Sequence, residues 1–108
     1  MEVKLFQENG VAVFQVTGEI NIATSPDLLK AFEKQSATKI VVDLEKVSYV
    51  DSSGLATLVE MLKKVRAGSC TFGLAGMSDK IRSLFEITKL DKFFSVYPNR
   101  AKAVSALS

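Results

Sequence analysis

The chain has 108 residues, 14 basic and 12 acidic, for a net charge of +2. That length fits one compact domain over residues 1–108, and 47% apolar against 24% charged residues is enough for a core without disulfides or metal. The charge balance argues against a nucleic-acid binder; the absence of histidine removes Ser-His-Asp and Cys-His catalysis, HExxH zinc chemistry and phosphohistidine transfer together.

The opening decapeptide, MEVKLFQENG, lacks the long apolar core of a signal peptide. No later run approaches the roughly 18 apolar residues of a bilayer span. "VKLF" and "VAVFQV" are short β-rich runs flanking "QENG", which spells an antiparallel hairpin turning at Asn9-Gly10. In "TGEINIATSPDLLKAFEKQ", Ser25 is the candidate helix cap, Pro26 takes the first helical position, and Asp27 favours the positive end. Leu28, Leu29 and Phe32 recur at helical spacing.

"KIVVDL" reads as a strand buried on both faces. After "VSYVDSSG", Leu55, Leu58, Val59, Leu62 and Val65 mark one helical face, and Gly68 is its stop. Lys63, Lys64 and Arg66 fall where cations complement the helix dipole and read as a solvated helix end. "SCTFGLA" is a further strand carrying the single cysteine, Cys70, expected as a small core residue in a reducing compartment. "MSDKIRSLFEITKL" opens on a cap at Ser78 or Asp79 and buries Ile81, Leu84 and Phe85; "FFSVY" is the last strand; "PNRAKAVSAL" is a closing helix capped by Asn99, with Val104 and Leu107 packed.

The order is β-β-α-β-α-β-α-β-α, an α/β domain with a mixed, largely parallel sheet packed against helices. Right-handed crossovers bring the carboxyl ends of the parallel strands to one edge, where α/β proteins usually bind ligands. Loops 18–25, 45–53 and 75–78 are then neighbours, with Glu19, Asn21, Ser52, Ser53 and Met77 on one surface.

Asp51-Ser52-Ser53-Gly54 sits at the strand-to-helix junction and admits four readings. An acid or hydroxyl there is an ordinary N-cap, with glycine allowing close packing. A nucleophilic serine needs a base and an oxyanion hole, and neither histidine nor a G-x-S-x-G elbow is present. Anion binding at the helix start is opposed by Asp51 and lacks a P-loop lysine. A serine that receives phosphate suits the physics, because a helix N-terminus tolerates the added charge; the effect would then fall on a partner surface.

"VSYVDSSGLATLVEML" resembles the signature of bacterial anti-sigma-factor antagonists, the single-domain STAS proteins. "VTGEINIATSPDLL" resembles that family's first-helix motif, "IVVDLEKVSYVDSSGL" its strand-loop-helix layout, and "IRSLFEITKLDKFFSVYPNRAKAVSAL" its C-terminal third. The resemblance implies phosphorylation at Ser52 by an anti-sigma factor that is a GHKL-type serine kinase using ATP-Mg, with no cofactor in the antagonist itself. It implies that the unphosphorylated form binds this kinase and releases the sigma factor. A PP2C-type phosphatase reverses the modification, and the antagonist is a cytoplasmic monomer or weak dimer rather than an enzyme. Asp51, Ser53, Gly54, Glu19, Asn21, Thr24 and Met77 are the candidate partner contacts, with Ser53 also a cap and Gly54 permitting close approach of the partner; Tyr49 and Leu55 are assigned to the core. The sequence departs from the family in Asn21, often aspartate, and Ala56, often glycine. The competing reading is an accessory or ligand-binding STAS subunit of a sensory complex or lipid transporter.

Overall fold

Asn9 and Gly10 both adopt positive φ, 50° and 78°. Two such residues in succession make the type I′ turn whose twist matches paired strands. In the computed structural model, which describes residues 1–68 and 70–108, this turn joins β1 (Glu2–Glu8) to β2 (Val11–Ile20), and Glu8 lies opposite Val11. The hairpin read from "QENG" is therefore present.

The chain continues through α1 (Ser25–Glu33), β3 (Lys39–Val50), α2 (Ser52–Ala67), β4 (Thr71–Ala75), α3 (Asp79–Ile87), β5 (Ser95–Tyr97) and α4 (Arg100–Leu107). A short 3-10 turn at Leu90–Lys92 is the one addition to the expected order. The predicted strand "SCTFGLA" begins at Thr71; residue 69 lies outside the described residues, and Cys70 is half-buried against the core.

The five strands run in the order β1-β2-β3-β4-β5, antiparallel at the hairpin and parallel thereafter. Strand order never reverses, so successive right-handed crossovers place α1, α2 and α3 on one face. Alternating side chains divide between the two faces. Phe14, Val42 and Leu74 join Leu28, Phe32, Leu58, Met61, Ile81 and Phe85 in the larger core. Within it Phe14, Phe32, Phe72, Phe94 and Phe85 form an unbroken series with centroids 5.6–6.2 Å apart.

The opposite face holds Val11, Val13, Val41 and Ala75, covered by Ala103 and Val104 of α4. Asn99 caps that helix by accepting from the Lys102 N–H at 2.9 Å, as expected. Arg100 at its first turn pairs with Asp43 (3.5 Å) and Glu8 (3.4 Å) and lies 5.3 Å over the Phe6 ring. Asp43 is fully buried, and its Oδ2 has no hydrogen-bond partner beyond this ion pair.

β3 is twice as long as "KIVVDL" suggested. It pairs with β4 only as far as Asp43–Ala75, but with β2 through Ile20–Val50. Residues 45–50 are thus strand rather than loop, and they project the start of α2 beyond the end of β4. Residues 18–20 are likewise strand.

Candidate functional site at the start of α2

The projecting strand ends deliver Asp51, whose four polar groups are all engaged. Its N–H donates to Ile20 O at 3.1 Å and its carbonyl accepts from the Leu55 N–H at 2.9 Å. Oδ1 accepts from the Gly54 N–H at 2.8 Å and Oδ2 from the Ile22 N–H at 3.1 Å. One carboxylate therefore caps α2 and ties it to the segment that follows β2. The cap is Asp51 rather than Ser53, because Asp51 has the extended backbone a cap requires while Ser53 is already helical.

Ser52 occupies the first helical position and is exposed; Ser53 is half-buried. Among the described residues, the N–H groups of Ser52 and Ser53 meet no protein acceptor. Gly54 is buried, and a Cβ there would lie 2.5 Å from Ile20 O and 2.8 Å from Val50 Cγ1. Its close approach within the chain is to the strand ends beneath it. Such contact requires glycine on steric grounds.

The segment between β2 and α1 is knotted by its own side chains. Asn21 Oδ1 accepts from the Ala23 and Thr24 N–H groups at 2.9 and 3.1 Å. The Thr24 hydroxyl donates to Glu19 O and accepts from the Asn21 N–H, both at 2.8 Å. Asn21 thus supplies the acceptor an aspartate would supply here, without its charge, and Nδ2 faces Glu19 Oε1 at 3.5 Å. Thr24 builds the loop. Ser25 is not the cap: it is the first residue of α1, buried, with an unpartnered Oγ.

The structure brings Glu19, Asn21, Thr24, Asp51, Ser52, Ser53 and Gly54 together, and it separates Met77 from them. Met77 is 7% exposed and packs in the larger core, because β4 ends well short of the tip of β3. Ser78 caps α3 by accepting from the Ile81 N–H at 3.2 Å. Tyr49 departs from expectation in the other direction and is 45% exposed, whereas Leu55 is core.

Ile22, 76% exposed beside the Asp51 clamp, is a surface residue that the sequence reading passed over. It lies in the loop between β2 and α1, outside both patterns, so no periodicity marked it. A groove of about 370 Å³ adjoins the site between the end of β3 and α3, lined by Tyr49, Leu55, Ile81 and Leu84 and also by Ser52 and Lys80.

Nothing in this arrangement activates the Ser52 hydroxyl. Both oxygens of the neighbouring carboxylate accept backbone N–H bonds, from Ile22 and Gly54, rather than a bond from the Ser52 hydroxyl. Among the described residues no group of three or more Cys, Asp or Glu side chains is placed to hold a metal ion, and no helix is long and apolar enough to cross a membrane.

Known proteins resemble this chain in sequence and in fold. The anti-sigma-B factor antagonist of Listeria monocytogenes is 32% identical over 99 residues, covering 89% of this chain and 86% of its own. That of Staphylococcus aureus is 38% identical over 85 residues, 76% of this chain and 79% of its own. A crystal structure of an anti-sigma factor antagonist from Mycobacterium paratuberculosis superposes with a TM-score of 0.90 at 30% identity, covering 98% of this chain and 92% of that one. The STAS domain family model matches residues 2–103. From the first strand of the hairpin, through the clamped junction at Asp51 and into α4, this chain belongs to the STAS domain family.

Proposed function

We propose that this protein is an anti-sigma-factor antagonist controlled by phosphorylation of Ser52. Unphosphorylated, it binds an anti-sigma factor that is a GHKL-type serine kinase and so frees the sigma factor. ATP-Mg bound by that kinase supplies the phosphoryl group, and a PP2C-type phosphatase removes it. The antagonist acts in the cytoplasm as a monomer or weak dimer and catalyses nothing itself. The names of its relatives support the pathway.

The observation that carries the reading is the division of labour between Asp51 and Ser52. Asp51 alone caps and anchors α2, which leaves the Ser52 hydroxyl exposed and structurally unused. A phosphate there adds about −1.5 to −2 charges at a helix N-terminus, where the fold tolerates them. The cost falls on the partner. Ile22 and Tyr49 offer exposed apolar surface beside Ser52, and Glu19 and Asp51 add negative charge. Placing a dianion in such an interface at a cost of about 4 kcal/mol weakens binding roughly a thousandfold.

The test is intact mass after incubation with the organism's GHKL-type serine kinases and ATP-Mg, for wild type and Ser52→Ala. A phosphate-sized gain in wild type alone, with loss of kinase binding on modification, is the expected result. No gain with kinases active on another substrate overturns the reading. The groove beside Ser52 favours the accessory, ligand-binding reading as the second choice, which then predicts small-ligand binding independent of Ser52.

A further inference from the structure

We infer that Lys80 is the counter-ion, within the same chain, of the phosphate carried by Ser52, and that the pair closes the apolar groove between β3 and α3. This rests on Ser52 as phosphoacceptor and adds what the phosphate does to its own molecule. Tyr49, Leu55, Ile81 and Leu84 give the groove an apolar lining, and Ser52 at the start of α2 and Lys80 on α3 line the same groove. Ser52 and Lys80 are both exposed. Among the described residues Lys80 forms no ion pair, whereas Lys64 is held by Glu33 at 3.1 Å and Arg100 by Glu8 and Asp43.

A lysine head on a flexible four-carbon stem moves readily to a new anion. A phosphoryl group on Ser52 adds its oxygens to the groove of about 370 Å³ that Lys80 also lines. The other titratable groups on its lining are Asp51 and Tyr49. The Asp51 carboxylate is already engaged by two N–H donors, so Lys80 is the cation available on this lining. A phosphate–ammonium pair across the opening covers Leu84 and Ile81. Phosphorylation then covers part of this apolar lining as well as adding repulsive charge.

The experiment uses full-length protein with phosphoserine installed at position 52 during translation and follows the phosphate by ³¹P NMR titration. The second ionisation of phosphoserine falls near pH ~6, and a nearby cation lowers it. Lys80→Met should raise the midpoint by about 0.5 pH unit, while Lys80→Arg leaves it near wild type. Lys63→Met, roughly 16 Å further along α2, removes the same net charge and should move the midpoint by no more than about 0.1 unit in ~0.1 M salt. The Ile81 and Leu84 methyl signals should shift on phosphorylation in wild type and return toward their unphosphorylated positions in Lys80→Met.

An unchanged midpoint in Lys80→Met overturns the pairing, as does an equal shift in Lys63→Met. Unmoved methyl signals overturn the closure. Because the phosphate is installed without a kinase, a failed kinase assay leaves this titration readable, and a flat titration leaves the kinase assay intact.

Discussion

Asp51 and Gly54 do at the residue scale what the whole site depends on. Asp51→Ala removes the cap of α2 and the link to Ile22 in one step. Urea unfolding should show a loss of about 1–2 kcal/mol. Ser52→Ala removes a hydroxyl that holds nothing, and its unfolding midpoint should stay within about 0.5 kcal/mol of wild type. Gly54→Ala sets two effects against each other. Alanine is favoured over glycine in a helix by about 1 kcal/mol, but its Cβ would sit 2.5 Å from a backbone carbonyl, and overpacking of that kind costs about 1–3 kcal/mol. The clash is with main chain, which cannot swing aside, so the substitution should lower the unfolding midpoint.

At this scale the sequence was legible in kind but not in assignment. It offered three capping residues in a row at 51–53, and only backbone geometry says that Asp51 is the extended one. Before α1 it pointed to Ser25, whereas the Asn21–Thr24 knot makes Thr24 the flanking residue.

Among the elements, β3 shows why a strand end can be hidden in a sequence. From Leu44 the buried positions are Leu44, Val47 and Val50, a spacing of three where a regular strand gives two. The pairing with β2 slips between Gln15 and Thr17 and again between Gly18 and Glu19. Each slip gives β3 an extra residue, as a bulge does. A period-two reading therefore stops at Leu44, and Tyr49, assigned to the core, emerges on the surface. The same bulged extension carries Asp51 and Ser52 past β4 and leaves Met77 behind in the core.

The hairpin was fully legible, since Asn-Gly between alternating apolar residues specifies its turn. Gly10→Ala, with φ at +78° and open space around the new methyl, tests that specification through the backbone alone. The left-handed conformation should cost about 1–2 kcal/mol, read as a lower thermal midpoint with an unchanged circular dichroism spectrum.

For the molecule as a whole, element order and sheet class followed from the alternation of strand-like and helix-like runs. What composition did not reveal is the Asp43–Arg100 pair. "KIVVDL" reads as an apolar strand, and its aspartate is explained only by a residue of α4 far along the chain. Arg100→Met leaves a fully buried carboxylate without its cation. Complete burial of both partners would make that loss about 3–5 kcal/mol. Arg100 is 36% exposed, so water screens part of it, and about 1–3 kcal/mol is expected by urea unfolding. Combining Arg100→Met with Asp43→Asn should recover part of the loss, because the orphaned charge is gone.

The unreversed strand order also shapes the surface. Doubly wound sheets bind in the crevice where strand order changes direction; here there is no change, and the site is a projecting tip with a groove at its side.

The two faces of the sheet are covered at different moments in the life of the chain. Each of α1, α2 and α3 follows a strand and packs on the first face. The second face waits for α4, which is made after every strand. Without α4, Val11, Val13 and Val41 and the carboxylate of Asp43 lose their cover. A released chain that ends at Tyr97 should thus expose this face and bind the dye ANS, and restoring Ala103 and Val104 with the rest of α4 should end that binding.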